Sequence, residues 1–275
     1  METGDLTTPA TSGEHREQHE QDEQDKQDER GERGEQVVPL PVRRTASFRR
    51  WYTAQRNAGN TLLGARPVWT STPGQESNEQ PGEEPGAVFF WALHVRMHVA
   101  AEDRIKDNEV VISRPDVSVV ALYRPGPSLD ETVVVLVREF RSPASTPDGY
   151  VHELPGGSSP PKATEATAPD PLVQAVDEVA EETGLRVDPR RFRAHGSGQV
   201  AATVSAHHAH LFSVEITDEE LGWLRTRQDC PHGVEADSER TWVEIATYGE
   251  IRAARLVDWA TLGMLAEALT TADIR

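Results

Sequence analysis

The sequence predicts an α/β fold in which helices cover a mixed β-sheet. Three observations carry this. β-like segments lie on both sides of one strongly marked helix. One of them, Val133 to Val137, is nearly all apolar, as a strand covered on both faces should be. Amphipathic helices then alternate with strands toward the C-terminus, the order expected when helices pack on a sheet.

The elements follow in order. Residues 1–36 are rich in Glu, Gln, Asp and Arg and hold almost no large apolar side chains. Such a segment cannot bury enough surface to offset its ordering entropy, so it is expected to be a disordered acidic tail. Within residues 37–70, Arg43, Arg44, Arg49, Arg50, Arg56 and Arg66 interleave with Phe48, Trp51, Tyr52 and Trp69 and no acid. Arginine among aromatics suits phosphate or nucleic acid; pairing with the acidic tail or docking on the domain serves equally. Pro and Gly pairs over 71–86 mark a linker. The folded part is expected to begin near Ala87 and run to residue 275.

Strands are expected over Val88–Val99, Glu109–Ser113, Val117–Tyr123, Thr132–Phe140 and Tyr150–Leu154. The next helix is capped by Asp170, starts on Pro171 and stops at Gly184. Its expected buried stripe is Leu172, Val176 and Val179, flanked by Val173 and Ala180. Further strands are expected over Ser197–Val200, His207–Ile216 and Trp242–Ala246. A helix with a capping box starts at Thr217, and an amphipathic helix covers Leu256–Leu269.

The chain has 275 residues and a net charge of −18, which argues against a nucleic-acid partner. Its single cysteine, Cys230, excludes an intrachain disulfide and a cysteine zinc cluster. No apolar run reaches the length of a membrane span and no apolar signal core opens the chain, so a cytoplasmic protein is expected.

Chemistry concentrates between Glu153 and Leu185. Glu178, Glu181 and Glu182 stand at i, i+3 and i+4 near a helix C-terminus. Like charges so spaced repel, and acids there oppose the helix dipole, each fault costing a few tenths to roughly 1 kcal/mol. A solvated acidic face is the plain explanation. A locally broken rule at a functional site is the other. The Leu154-Pro155-Gly156-Gly157 turn favours the second, because its glycines let backbone approach a ligand. Mg²⁺ or Mn²⁺ suits such carboxylates, taking hard oxygen ligands together with substrate phosphates. His208 and His210 share one strand face with His207 opposite. Without a third ligand they are ordinary polar strand positions rather than a zinc site.

This stretch resembles the Nudix box, G-x5-E-x7-R-E-U-x-E-E-x-G-U with U aliphatic. Gly157 matches the opening glycine, and Glu178, Val179, Glu181, Glu182, Gly184 and Leu185 match the second half. Two features depart from the pattern. Asp177 stands where the pattern has an arginine that helps orient the glutamates. Nineteen residues separate Gly157 from Asp177 where the pattern has thirteen. Glu165 and Asp170 are both open as the first glutamate. Around the box, Glu139-Phe140-Arg141, Glu153-Leu154-Pro155-Gly156-Gly157 and Gly249-Glu250-Ile251-Arg252 are similar to segments of the ADP-ribose pyrophosphatase group.

The resemblance implies a Nudix-like α/β/α sandwich with an antiparallel strand region before it. It further implies a metal-dependent hydrolase that cleaves ADP-ribose or a related nucleoside diphosphate sugar into a nucleoside monophosphate and a sugar phosphate. Glu178, Glu181, Glu182 and the Gly156 carbonyl would be the metal ligands, with the Gly156-Gly157 turn against the substrate. Arg138 and Arg141 would clamp phosphate. Glu239, in the loop His232–Arg240 beside Glu235 and Asp237, is the preferred general base. A homodimer is implied as well. The alternative expectation is a catalytically weak or inactive module of the same fold that binds and senses a nucleotide; Asp177 and the long spacer favour it.

Overall fold

The computed structural model describes residues 35–71, 88–158, 170–233 and 240–271. Among the described residues it is a mixed α/β protein with a three-stranded antiparallel sheet, an eight-stranded mixed sheet and six α-helices. Residues 1–34 and 72–87, and with them most of the expected tail and linker, lie outside the described residues.

Order begins earlier than composition indicates. A 3₁₀ turn at Glu35–Val37 leads into α1 (Leu40–Arg43) and α2 (Ala46–Asn57). Thr45 caps α2 by accepting the Phe48 N–H at 3.2 Å. Phe48 and Tyr52, four apart, share its buried face, while Arg44, Arg49 and Arg56 are exposed. The expectation that folding starts near Ala87 is therefore corrected: the arginines hide an amphipathic helix whose apolar face is aromatic. That face meets β2 (Phe90–Val99), where Trp91, Leu93, Val95 and Met97 alternate inward. The Trp91 indole N–H donates to Ser47 Oγ at 3.2 Å. β1 (Thr61–Ser71) and β3 (Arg104–Ser113) flank β2, forming the antiparallel strand region that the resemblance implies.

In the larger sheet β4 (Val117–Arg124) is central. It runs antiparallel to β5 (Val133–Phe140) and parallel to β9 (His208–Glu215). β8 (Arg193–Gln199) pairs with β9, and β11 (Thr241–Thr247) with β5 and with β10 (Pro231–His232). Alternation splits the core. Val119, Ala121, Tyr123, Val134 and Leu136 pack with Ile251 of α5 (Tyr248–Ala254) and Leu265 of α6 (Trp259–Thr270). Val120, Leu122 and Val135 pack with Ala175 and Val179 of α3 (Pro171–Thr183) and Leu224 of α4 (Asp218–Arg225). Each fully buried Val or Leu contributes about 1.5–3 kcal/mol. α6 starts at Trp259, not Leu256, because Asp258 caps it by accepting the Thr261 N–H at 2.7 Å.

The feature that positions the site is a fork between β4 and β5. They pair only where Leu122–Arg124 meet Val133–Val135. Beyond that, β6 (Tyr150–Glu153) takes the edge of β5, and β7 (Gly156–Gly157) takes the edge of β4. Leu154 and Pro155 cross the gap, and the Val120 N–H donates to the Pro155 carbonyl at 2.9 Å. Among the described residues no helix is long and apolar enough to cross a membrane.

Candidate functional site

Helix α3 lies over the fork. Its start and stop are as expected: Asp170 accepts the Leu172 N–H at 2.9 Å, and Gly184 adopts φ +73°. Asp170 thus serves as a cap; Glu165 lies outside the described residues. The buried face is rotated from the expected stripe. Val173 is exposed, while Gln174, Ala175, Val179, Glu182 and Thr183 are buried. The tertiary contact with the glycine turn selects this face, because it satisfies polar groups the apolar pattern ignores.

Gln174, Glu178 and Glu182 form a polar strip at i, i+4 and i+8 along that turn. Gln174 Nε2 donates to the Gly157 carbonyl at 2.8 Å. Glu182 Oε2 accepts the Gly156 N–H at 2.7 Å. The Glu178 carboxylate lies so close to Gly157 that a Cβ there would stand 2.6 Å from Glu178 Oε1. Ser118 on β4 donates to the Pro171 carbonyl at 2.9 Å, fastening the helix start to the same edge. Glu181 is exposed. Gly156, Gly157, Glu178 and Glu182 are therefore brought together, with Glu181 beside them on the outer flank. Gln174 and Ser118 escaped the sequence reading; the four-residue spacing of Gln174, Glu178 and Glu182 is the signal that could have found Gln174.

Burial pushes the Glu182 carboxyl well above the usual carboxylate range. The Gly156 hydrogen bond opposes this; Glu178 and Glu139 add to it, and Arg141 opposes it. Glu139 is buried on β5 and ion-pairs with Arg141 at 2.9 Å. Arg141 Nε also reaches Glu153 Oε2 at 3.1 Å. Burial works to lower the Arg141 pKa, but Glu153 and Glu139 outweigh it and raise it.

Arg138 does not join this group. It lies one register away from Glu139, on the opposite face of the sheet. There it pairs with Asp148 at 2.7 Å and covers the Tyr150 ring at 4.1 Å. Glu239, Glu235 and Asp237 lie outside the described residues.

The histidines do other work. Asp116 accepts two bonds from Arg50, at 2.5 and 2.7 Å, and the His208 N–H at 2.8 Å, with His210 Nε2 at 3.7 Å. Burial raises the Asp116 pKa, but Arg50, the His208 N–H and His210 together bring it below the usual value. This cluster ties α2 to β9.

Among the described residues no group of three or more His, Cys, Asp or Glu is gathered closely enough to hold a metal ion. Uncompensated carboxylates repel, and Glu181 and Glu182 face different ways. The donor chemistry still suits a hard divalent cation, since Glu178, Glu181 and Glu182 offer carboxylate oxygens, while the glycine turn is closely packed, with β4 backbone against Gly156 and the Glu178 carboxylate against Gly157. A comparison with models of known protein families finds no match, and a search of curated proteins finds no significant one.

Proposed function

We propose that this protein is a Nudix-like, metal-dependent hydrolase. It cleaves the pyrophosphate of ADP-ribose or a related nucleoside diphosphate sugar into a nucleoside monophosphate and a sugar phosphate. The observation that carries the reading is the seating of the helix acids on the glycine turn, with Glu182 on the Gly156 N–H and Glu178 against Gly157. The α/β/α layering and the forked strands support the same reading.

Glu178, Glu181, Glu182 and the Gly156 carbonyl would hold Mg²⁺ or Mn²⁺. Such an ion, when bound, neutralises pyrophosphate charge and makes water a better nucleophile near neutral pH. The chain's own residues do the rest. The Gly-Gly turn lets the Glu178 carboxylate sit against backbone, and Gln174 holds that turn to the helix. Arg141 stands at the rim of the carboxylates, while Arg138 faces away from them. Glu239 is the proposed general base.

One observation favours a second reading, a weakly active or inactive module that binds a nucleotide: among the described residues the acids are not gathered into a ready metal site. A panel of nucleoside diphosphate sugars, scored for turnover and for thermal shift with and without Mn²⁺, separates the two. The hydrolase turns over a panel member only with metal. The binding module shifts without turnover.

A further inference from the structure

Resting on the hydrolase reading, we infer that Arg141 is the residue that positions the helix carboxylates in this chain. It acts from the end of β5 instead of from the helix itself. The helix position where the resemblance has an arginine holds Asp177, which is exposed and carries the wrong charge to grip an acid. A cation held on the strand side of the fork can take that task. Arg141 is fixed at two points, Glu139 Oε2 at 2.9 Å and Glu153 Oε2 at 3.1 Å. Those two acids belong to β5 and β6, paired strands that frame the mouth of the fork. Glu139 is itself buried, so its charge needs a held partner.

Glu153 ends the strand that runs directly into the Leu154-Pro155-Gly156-Gly157 turn. The chain Glu139–Arg141–Glu153 therefore locks the approach to Gly156, and Gly156 in turn holds Glu182. A planar five-donor guanidinium can bridge two carboxylates in fixed geometry; a lysine ammonium, a point charge, does not fix both.

The test is Mn²⁺ affinity, followed by electron paramagnetic resonance of free Mn²⁺, in wild type, Arg141→Lys and Arg141→Gln, with melting curves of each. Positioning predicts that both variants bind Mn²⁺ at least about tenfold more weakly, as loss of a partner behind metal ligands typically does. Glu153→Gln, which loosens the grip but keeps the arginine, weakens binding in the same direction, and it serves if the Arg141 variants fail to fold. A simple charge counterweight gives the opposite pattern: Arg141→Gln tightens Mn²⁺ binding and Arg141→Lys matches wild type. A mere brace between strands lowers the melting temperature with Mn²⁺ affinity unchanged. Either result overturns the inference while leaving the hydrolase reading in place. Wild type that binds no Mn²⁺ removes both.

Discussion

The backbone N–H of Gly156 donates to Glu182 Oε2 at 2.7 Å, and this bond joins the forked strands to the acidic helix. It is a buried carboxylate held by one peptide group, with Glu178 and Glu139 adding like charge nearby. The folded-state pKa of Glu182 is raised, so between the unfolded value and the raised one the native state binds more protons than the unfolded state. Stability therefore falls as pH rises through that window.

Glu182→Gln removes the charge and keeps an oxygen acceptor for Gly156. Without divalent metal, the variant is expected to melt above wild type at pH 7–8. The gap closes as pH drops toward the ordinary carboxylate range. Melting curves across pH in a chelator check this. Equal melting temperatures at pH 8 would contradict the buried-charge account.

The two glycines of the turn separate stability from function. A Cβ at Gly156 would meet the Ser118 carbonyl and Val119 Cα (2.8 Å), both backbone. Backbone cannot yield easily, so Gly156→Ala is expected to cost about 1–3 kcal/mol or more. A Cβ at Gly157 meets the Glu178 carboxylate, the far end of a flexible side chain. Gly157→Ala is expected to stay close to wild-type stability while displacing Glu178 and losing metal-dependent turnover. Urea denaturation beside the activity assay distinguishes them.

The N-terminal helices are part of the fold. A chain starting at Val88 would leave Trp91, Leu93, Val95 and Met97 without α1, α2 and β1. Each large side chain so uncovered forfeits about 1.5–3 kcal/mol. Such a truncation is expected to be insoluble or to melt without a cooperative transition, by calorimetry. More narrowly, a double-mutant cycle on Arg50 and Asp116 should report roughly 1 kcal/mol, since a third of the Arg50 side chain remains exposed to screening solvent. Because the Asp116 pKa is lowered, that contribution is present above pH 3.8 and is lost as pH falls through the folded-state value.

Much of this was legible from residue patterns, for identifiable reasons. Asp170, Pro171 and Gly184 are local signals, and they placed α3 to the residue. The capping box at Thr217 is formed as its Thr-x-x-Glu pattern indicates. What stayed hidden depends on tertiary contact. The rotation of α3 that buries Gln174 and exposes Val173 is set by the glycine turn, which lies across a gap in the sheet. The role of Arg141 requires knowing that Glu153 pairs with Val137 beside it. Arg138 and Arg141 look alike as phosphate clamps in sequence, yet strand alternation sends them to opposite faces. The sequence places the arginine-rich segment before the folded part because its buried aromatics are few and surrounded by charge.

The most direct measurement is release of AMP from ADP-ribose with Mg²⁺ or Mn²⁺, wild type against Glu182→Gln. The account expects metal-dependent release by wild type, abolished by chelator and lowered at least about a hundredfold in the variant. Release that survives the chelator, or that Glu182→Gln leaves untouched, would contradict a metal-dependent centre on this helix.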